Sequence, residues 1–242
     1  MGWLLEHRSG VRCHRHSGSL FYDVGGWHSV VVGSIYSRLF ALSYDLFLAW
    51  GERAGMQTLR RDALAEATGS VLEIGAGTGL NAAFFPADVE RVTLSEPDPA
   101  MRHRLSQRLA SLGRRHEILD APADHLPVDS GAVDTVVSTL VLCTVADLAA
   151  TLAEIRRVLA PGGRLILIEH VRAAGPRLGG WQDRLHGPWM AFAEGCHCNR
   201  DTVAALCDAG FDTAQLQVAR WKRMPPIVSP LVFGSATPQP PG

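Results

Sequence analysis

The stretch VLEIGAGTGL, residues 71–80, places Glu73, Gly75, Ala76, Gly77 and Gly79 in a spacing that suggests ligand chemistry. An apolar run ending in alternating glycines lets backbone amides approach a ligand closely, with no side chain in the way. A dinucleotide fingerprint wants its third glycine at position 80, where Leu80 stands. A phosphate-binding loop wants Lys followed by Ser or Thr after its glycines, and this stretch has neither. A second carboxylate, Glu96, closes the next apolar run, RVTLSE, 21 residues after Gly75. At the end of the second strand of a doubly wound sheet, an acidic side chain accepts both hydroxyls of a ribose. The expected ligand therefore carries a ribose but no pyrophosphate.

A second group of reactive types lies further along the chain. RLILIEHV, residues 164–171, ends in Glu169 and His170. The carboxyl ends of parallel strands open onto the ligand crevice, so His170 is a candidate base and Glu169 can orient it or touch substrate. The segment EGCHCNR, residues 194–200, contains Cys196, His197 and Cys198. A structural zinc site needs four ligands, usually as two pairs, and these three are too close together to supply them. The other nearby candidates, His186 and Cys207, lack a paired spacing, so no metal is expected. The segment reads instead as a junction, with Gly195 ending one helix and Asn199 capping the next.

These residues need elements to hold them. From position 35 to about 66 the apolar residues recur at helical spacing, which predicts one amphipathic helix or two. Strands are predicted at 70–75, 91–96, 116–121, 133–142 and 164–171. Helices are predicted to start within GLNAAFF and to span 98–113, with Asp98 as N-cap and Gly113 as stop, and 146–160. Strands alternating with helices imply a mainly parallel sheet. After 171 the pattern changes to Trp-rich helical sequence at 181–195, a short helix at 199–210 and two closing strands. The fold expected is α/β, with a Rossmann-like sheet of seven strands, helices on both faces and an antiparallel last strand.

Composition sets bounds. With 242 residues, 47% of them hydrophobic, 19% charged and a net charge of -1, the chain suits one domain with a small-molecule partner and shows no electrostatic footprint for nucleic acid. Residues 1–34, which include Cys13, His14 and His16, read as a disordered or non-native leader, and 35–242 as one domain. The five cysteines are odd in number and unevenly spread, which favours thiols in a reducing cytoplasm. Charged residues interrupt every apolar run before it reaches the ~20 residues of a membrane span, although the arginines of the first helix allow peripheral membrane contact.

Taken together, the E-x-G-x-G-x-G stretch, Glu96 and the strand order resemble the class I S-adenosylmethionine-dependent methyltransferases. The second half, from STLVLCTV through IEHV to EGCHCNR, resembles the branch that includes alkyl-thiol S-methyltransferases and their bacterial relatives. The resemblance covers about Tyr36 to Pro238 and implies S-adenosylmethionine as cofactor. It implies that Glu73 and the backbone of Gly75, Ala76 and Gly77 face the methionine and ribose end, with Gly79 completing the loop and Thr139 beside it. It further implies that Glu96 holds the ribose hydroxyls, that Pro97 and Met101 border the adenine, and that Ala123 and Asp124 sit at its edge. Pro122 stands where many relatives carry an aspartate.

A methyl acceptor must present a lone pair, and a thiol near pKa 8.5 is only a few per cent thiolate at neutral pH. The candidate catalytic residues are His170, Glu169 and His197. The candidate acceptor pocket is formed by Cys143, Trp181, His186, Trp189, Cys196 and Asn199, with the first helix and the segment 178–210 covering it. The preferred acceptor is a small, rather apolar molecule, with a thiol favoured by resemblance. Methylation of an amine, phospholipid head group, phenol or quinone stays open, as does a non-catalytic cofactor-binding protein.

Overall fold

The computed structural model describes residues 44–239. The expected leader and the start of the first helix lie outside them. Residues 44–51 are helical, Glu52–Met56 form a π-helical turn, and α1 follows at Gln57–Leu64. The break falls at Gly55, whose φ of 139° no regular helix accommodates.

The strands are β1 (Ser70–Ile74), β2 (Arg91–Ser95), β3 (Glu117–Leu119), β4 (Val133–Thr139), β5 (Leu159–His170), β6 (Phe211–Asp212), β7 (Gln217–Arg220) and β8 (Pro230–Pro238). They form one sheet in the order β3-β2-β1-β4-β5-β8-β6, with β7 also paired to β8. Pairings from β3 through β5 are parallel, while β8 is antiparallel to β5. The helices are α2 (Pro99–Ser111), α3 (Leu148–Val158), α4 (Pro176–Phe192) and α5 (Thr202–Asp208).

Alternation along the strands divides the core into two layers, because successive side chains point to opposite faces. Val71, Val92, Leu94, Ile166 and Ile168 pack with the N-terminal helix and with Leu105 and Leu109 of α2. Leu72, Ile74, Leu165 and Leu167 pack on the other face with Leu152 and Ile155 of α3 and Leu206 of α5. Helices thus cover both faces, as the pattern predicts.

Four local expectations change. GLNAAFF forms successive turns rather than a helix. Only six residues separate Gly79 from Pro86, and a residue before proline is biased away from helical geometry. β5 begins at Leu159, so the end of the helix predicted at 146–160 and the PGG after it lie within an irregular start of the strand. The first of the two expected closing strands is split, with β6 and β7 pairing to opposite ends of β8. The Asp212 carboxylate accepts a hydrogen bond from Ala214 N at 2.9 Å and turns the chain out of the sheet. Opposite the gap stands Gly234, at φ 128°, where a Cβ would meet Gln215 O at 2.6 Å. Finally, the N-cap of α5 is Asp201, which accepts from Ala204 N at 3.0 Å, and not Asn199.

β1 and β4 are neighbours although β2 and β3 intervene in sequence. That switch in chain direction opens a crevice beyond the carboxyl ends of β1, β2, β4 and β5.

Candidate functional site

The loop after β1 is fixed by its neighbours before any ligand enters. Ala76 N donates to Ser95 O at 2.9 Å, and Gly77 N donates to Glu96 Oε2 at 2.8 Å. Asp98 N donates to the other Glu96 oxygen at 2.9 Å, so the carboxylate is clamped at the mouth of the crevice. Burial raises the Glu96 carboxyl, while these two amide bonds pull it down. Gly75 is required as glycine. Its φ is 54°, and a Cβ would sit 2.7 Å from Val141 Cγ2.

Behind the loop lies a buried polar chain. Arg60 pairs with Glu52 at 2.8 Å and donates through Nη1 to Asn81 Oδ1 at 2.8 Å. Asn81 Nδ2 donates to Glu73 Oε1 at 2.8 Å and to Thr139 Oγ1 at 3.0 Å. Glu73 Oε2 is buried with no protein partner among the described residues. Burial pushes the Glu73 carboxyl up to about 7. An orphaned buried carboxylate oxygen, a clamped carboxylate and a glycine loop without side chains together fit a nucleoside that bears a cationic amino-acid arm.

The crevice is a cavity of about 950 Å³ that runs from this loop to an aromatic end. Gly75, Gly77, Glu96, Pro97, Met101, Ala123, Asp124 and Thr139 line one end. Phe47, Leu48, Trp189, Phe192, Trp221, Met224 and Val228 line the other, with Cys143, His170 and Cys196 also on the wall. Burial together with Asp98 and Glu96 pushes the Glu194 carboxyl, also on the wall, up to about 6.

Cys143, His170 and Cys196 come from three different segments. Their ligand atoms lie within 4.8 Å of one another. Burial holds the Cys143 thiol well above its usual range, with its hydrogen bond to Cys196 adding to the effect, and the same bond lowers Cys196. Burial pushes the His170 imidazole down to about 4, so it is neutral at pH 7.

Other candidates from the sequence stand elsewhere. Glu169 is fully buried and does not reach the cavity. Its Oε1 accepts from Ser138 Oγ, Val141 N and Leu142 N at 2.8, 2.9 and 3.0 Å, holding the turn that carries Cys143. Trp181 is exposed, with the Arg184 guanidinium 5.6 Å over its ring. His186 Nε2 lies 2.8 Å from His197 Nδ1, and neither residue lines the cavity. Burial pushes His197 down to about 4, with Arg200 and His186 adding to the effect. Asn199 donates to Asp183 Oδ1 at 3.0 Å, away from the cavity. Gly79 faces α2, where a Cβ would meet Leu105 Cδ1 at 2.6 Å.

Sequence reading missed Arg60, Glu52 and Asn81, whose side chains meet only through the fold. It also missed Trp221 and Met224, which stand in the segment that follows β7. Phe47 and Leu48 had a signal in the apolar stripe of the first helix. Asp45 on that helix accepts from Thr78 Oγ1 at 2.5 Å and pairs with Arg104 and Arg108, docking the helix on the glycine loop and α2.

Comparison with known proteins adds an independent line. Residues 72–167 match the family described as methyltransferase domain. The thiol S-methyltransferase TMT1A of Homo sapiens is 33% identical over 201 residues, 81% of this chain and 82% of that protein. The thiol S-methyltransferase TMT1B of Homo sapiens is 35% identical over 185 residues, 72% and 73% of the two chains. A solved structure from Thermotoga maritima, described as an S-adenosylmethionine-dependent methyltransferase and possible histamine N-methyltransferase, shares the fold. It has a TM-score of 0.61 at 20% identity and covers 84% of this chain and 97% of its own.

Proposed function

The chain belongs to the S-adenosylmethionine-dependent methyltransferases, and from that premise we propose that it methylates the sulfur of a small, apolar thiol. One observation carries the reading: a single cavity joins the clamped Glu96 to an aromatic end, with Cys143, His170 and Cys196 on its wall. The relatives named thiol S-methyltransferases support the choice of sulfur.

When bound, S-adenosylmethionine supplies a methyl group on a sulfonium, already activated for displacement. The residues of this chain supply position. In this reading Glu96 accepts the ribose hydroxyls and Glu73 Oε2 meets the cationic amino-acid arm. Pro97, Met101, Ala123 and Asp124 flank the adenine. The tilted ring pair of Trp189 and Phe192, together with Trp221, Met224 and Val228, excludes water and holds the apolar body of the acceptor. His170 faces the acceptor atom, whereas Glu169 acts as a positioning residue for the Cys143 turn.

The exposed Leu46, Phe47 and Trp50 on the first helix and Met190 and Phe192 on α4 support peripheral membrane contact at the cavity mouth, since the Phe47 and Phe192 rings touch there. No described helix is long and apolar enough to cross a membrane.

The test is transfer of labelled methyl from S-adenosylmethionine to an alkyl thiol, amine and phenol of equal apolar size across a pH series. Label on the thiol, and not on the amine or phenol, supports the reading. Label confined to the amine or phenol would overturn it.

A further inference from the structure

We propose that Cys143, Cys196 and His170 form a zinc site of Cys2His type in the wall of the cavity, with its fourth position open to the acceptor. The inference rests on the reading above, that the acceptor is a thiol. Three independently anchored segments supply the ligands. Cys143 stands on the turn after β4 that the Glu169 carboxylate holds, and His170 is the last residue of β5. Cys196 lies on the loop after α4, whose next residue donates through His197 N to Cys143 O at 2.8 Å.

The spacing matches a tetrahedral zinc. With ~2.3 Å to sulfur and ~2.0 Å to nitrogen, tetrahedral geometry sets each sulfur about 3.5 Å from the imidazole nitrogen. Here Cys143 Sγ and Cys196 Sγ lie 3.5 and 3.2 Å from His170 Nε2. All three side chains are buried, at 1%, 4% and 5% exposure for Cys143, Cys196 and His170, yet all three line the cavity.

The imidazole supplies a second observation. Among the described residues, the buried His170 Nε2 faces only the two sulfurs. A buried ring nitrogen with no oxygen or nitrogen partner is unusual unless a ligand completes its surroundings. Trp189 Nε1 donates to Cys196 Sγ at 3.2 Å, the outer hydrogen bond that a metal-bound thiolate uses. Two soft sulfurs and one imidazole select zinc over the harder divalent ions, and three protein ligands leave the open position of a catalytic site.

The chemistry then balances. The acceptor thiol takes the fourth position as thiolate and its S–H proton passes to solvent. Its sulfur forms the new bond to carbon as the sulfonium C–S bond breaks. The thioether product is a poorer ligand than a thiolate and departs.

The experiment uses the full chain, purified with reductant, stripped with a chelator and titrated with zinc or cobalt(II). Uptake of one equivalent is expected. The cobalt form should show thiolate-to-metal charge transfer and visible bands of tetrahedral intensity that shift when an alkyl thiol is added. Cys143→Ser and Cys196→Ser should each weaken binding about tenfold or more. Cys198→Ala should keep the metal, because the Cys198 sulfur faces Gln182 O at 3.7 Å and not the cavity. Chelation should lower thiol methylation about tenfold at pH 7 and far less near pH 9, where free thiolate is abundant.

Failure of the folded, cofactor-binding protein to take up zinc would overturn the site. Unchanged uptake by the Cys143→Ser, Cys196→Ser double variant would do the same. Full thiol methylation by the stripped protein would overturn the site and leave the thiol reading standing. Metal held by these three residues, with methyl passing only to an amine, would overturn the thiol reading instead.

Discussion

Glu73 illustrates what one residue contributes beyond its place in a motif. Burial raises its carboxyl from 4.5 to about 7, and one of its oxygens has no protein partner. A raised carboxyl favours the protonated form in the fold, so its stabilisation is full below about pH 4.5 and is lost as pH rises through 7. At about 1.36 kcal/mol per pH unit the loss is about 3 kcal/mol. Glu73→Gln should therefore raise the melting temperature of the ligand-free protein at pH 8, change it little at pH 5, and weaken cofactor binding. Equal melting shifts at the two pH values would contradict that account. The glutamate itself was legible in the E-x-G-x-G-x-G spacing. Its orphaned oxygen was not, because that depends on where Asn81 and Arg60 arrive.

At the scale of elements, the turn after β4 decides where the Cys143 sulfur stands. Leu140 adopts a φ of 61°, and the chain then folds back so that Val141 N and Leu142 N both meet the Glu169 carboxylate of the neighbouring strand. Glu169→Ala would leave these buried donors and Ser138 Oγ unpaired, and removing one partner of a buried hydrogen-bond group costs about 1–3 kcal/mol per orphan. The expected result is loss of several degrees in melting temperature and a fall in kcat on a thiol, with cofactor affinity changed less than threefold. Calorimetry on the variant beside single-turnover rates checks it. A matching loss of cofactor binding would place Glu169 in a different role. The strand ends were readable from apolar runs, since β4 and β5 are buried on both faces. Whether Glu169 orients His170 or touches substrate was not readable from the run itself, because alternation sends the Glu169 side chain to the turn and that of His170 to the cavity.

At the scale of the molecule, the N-terminal helix is tied to the glycine loop through the Glu52, Arg60, Asn81 and Glu73 chain. Arg60 and Glu52 are a buried pair, and removing one partner leaves an uncompensated charge that costs about 3–5 kcal/mol. Arg60→Met should destabilise the protein by that order and weaken cofactor binding through Asn81. Arg60→Met combined with Glu52→Leu should recover part of the stability but not the binding. Chemical denaturation of the three variants, with and without cofactor, measures the coupling. Additive losses would show that the helix and the loop are independent.

The sequence by itself determined the α/β fold, the glycine loop, the carboxylate at the end of β2 and the cofactor class. These are local facts, carried by period, glycine spacing and strand ends, and they survive any rearrangement of distant segments. Only the tertiary structure decided which sulfurs meet. In sequence Cys196 stands beside His197 and Cys198, but the fold turns His197 toward His186 and Cys198 toward Gln182, and delivers Cys196 to Cys143 and His170. The separations of 27 and 53 residues between these partners are closed by β5 and by the return from α4. No periodicity in the chain encodes that closure, which follows from packing the covering segment over the carboxyl end of the sheet.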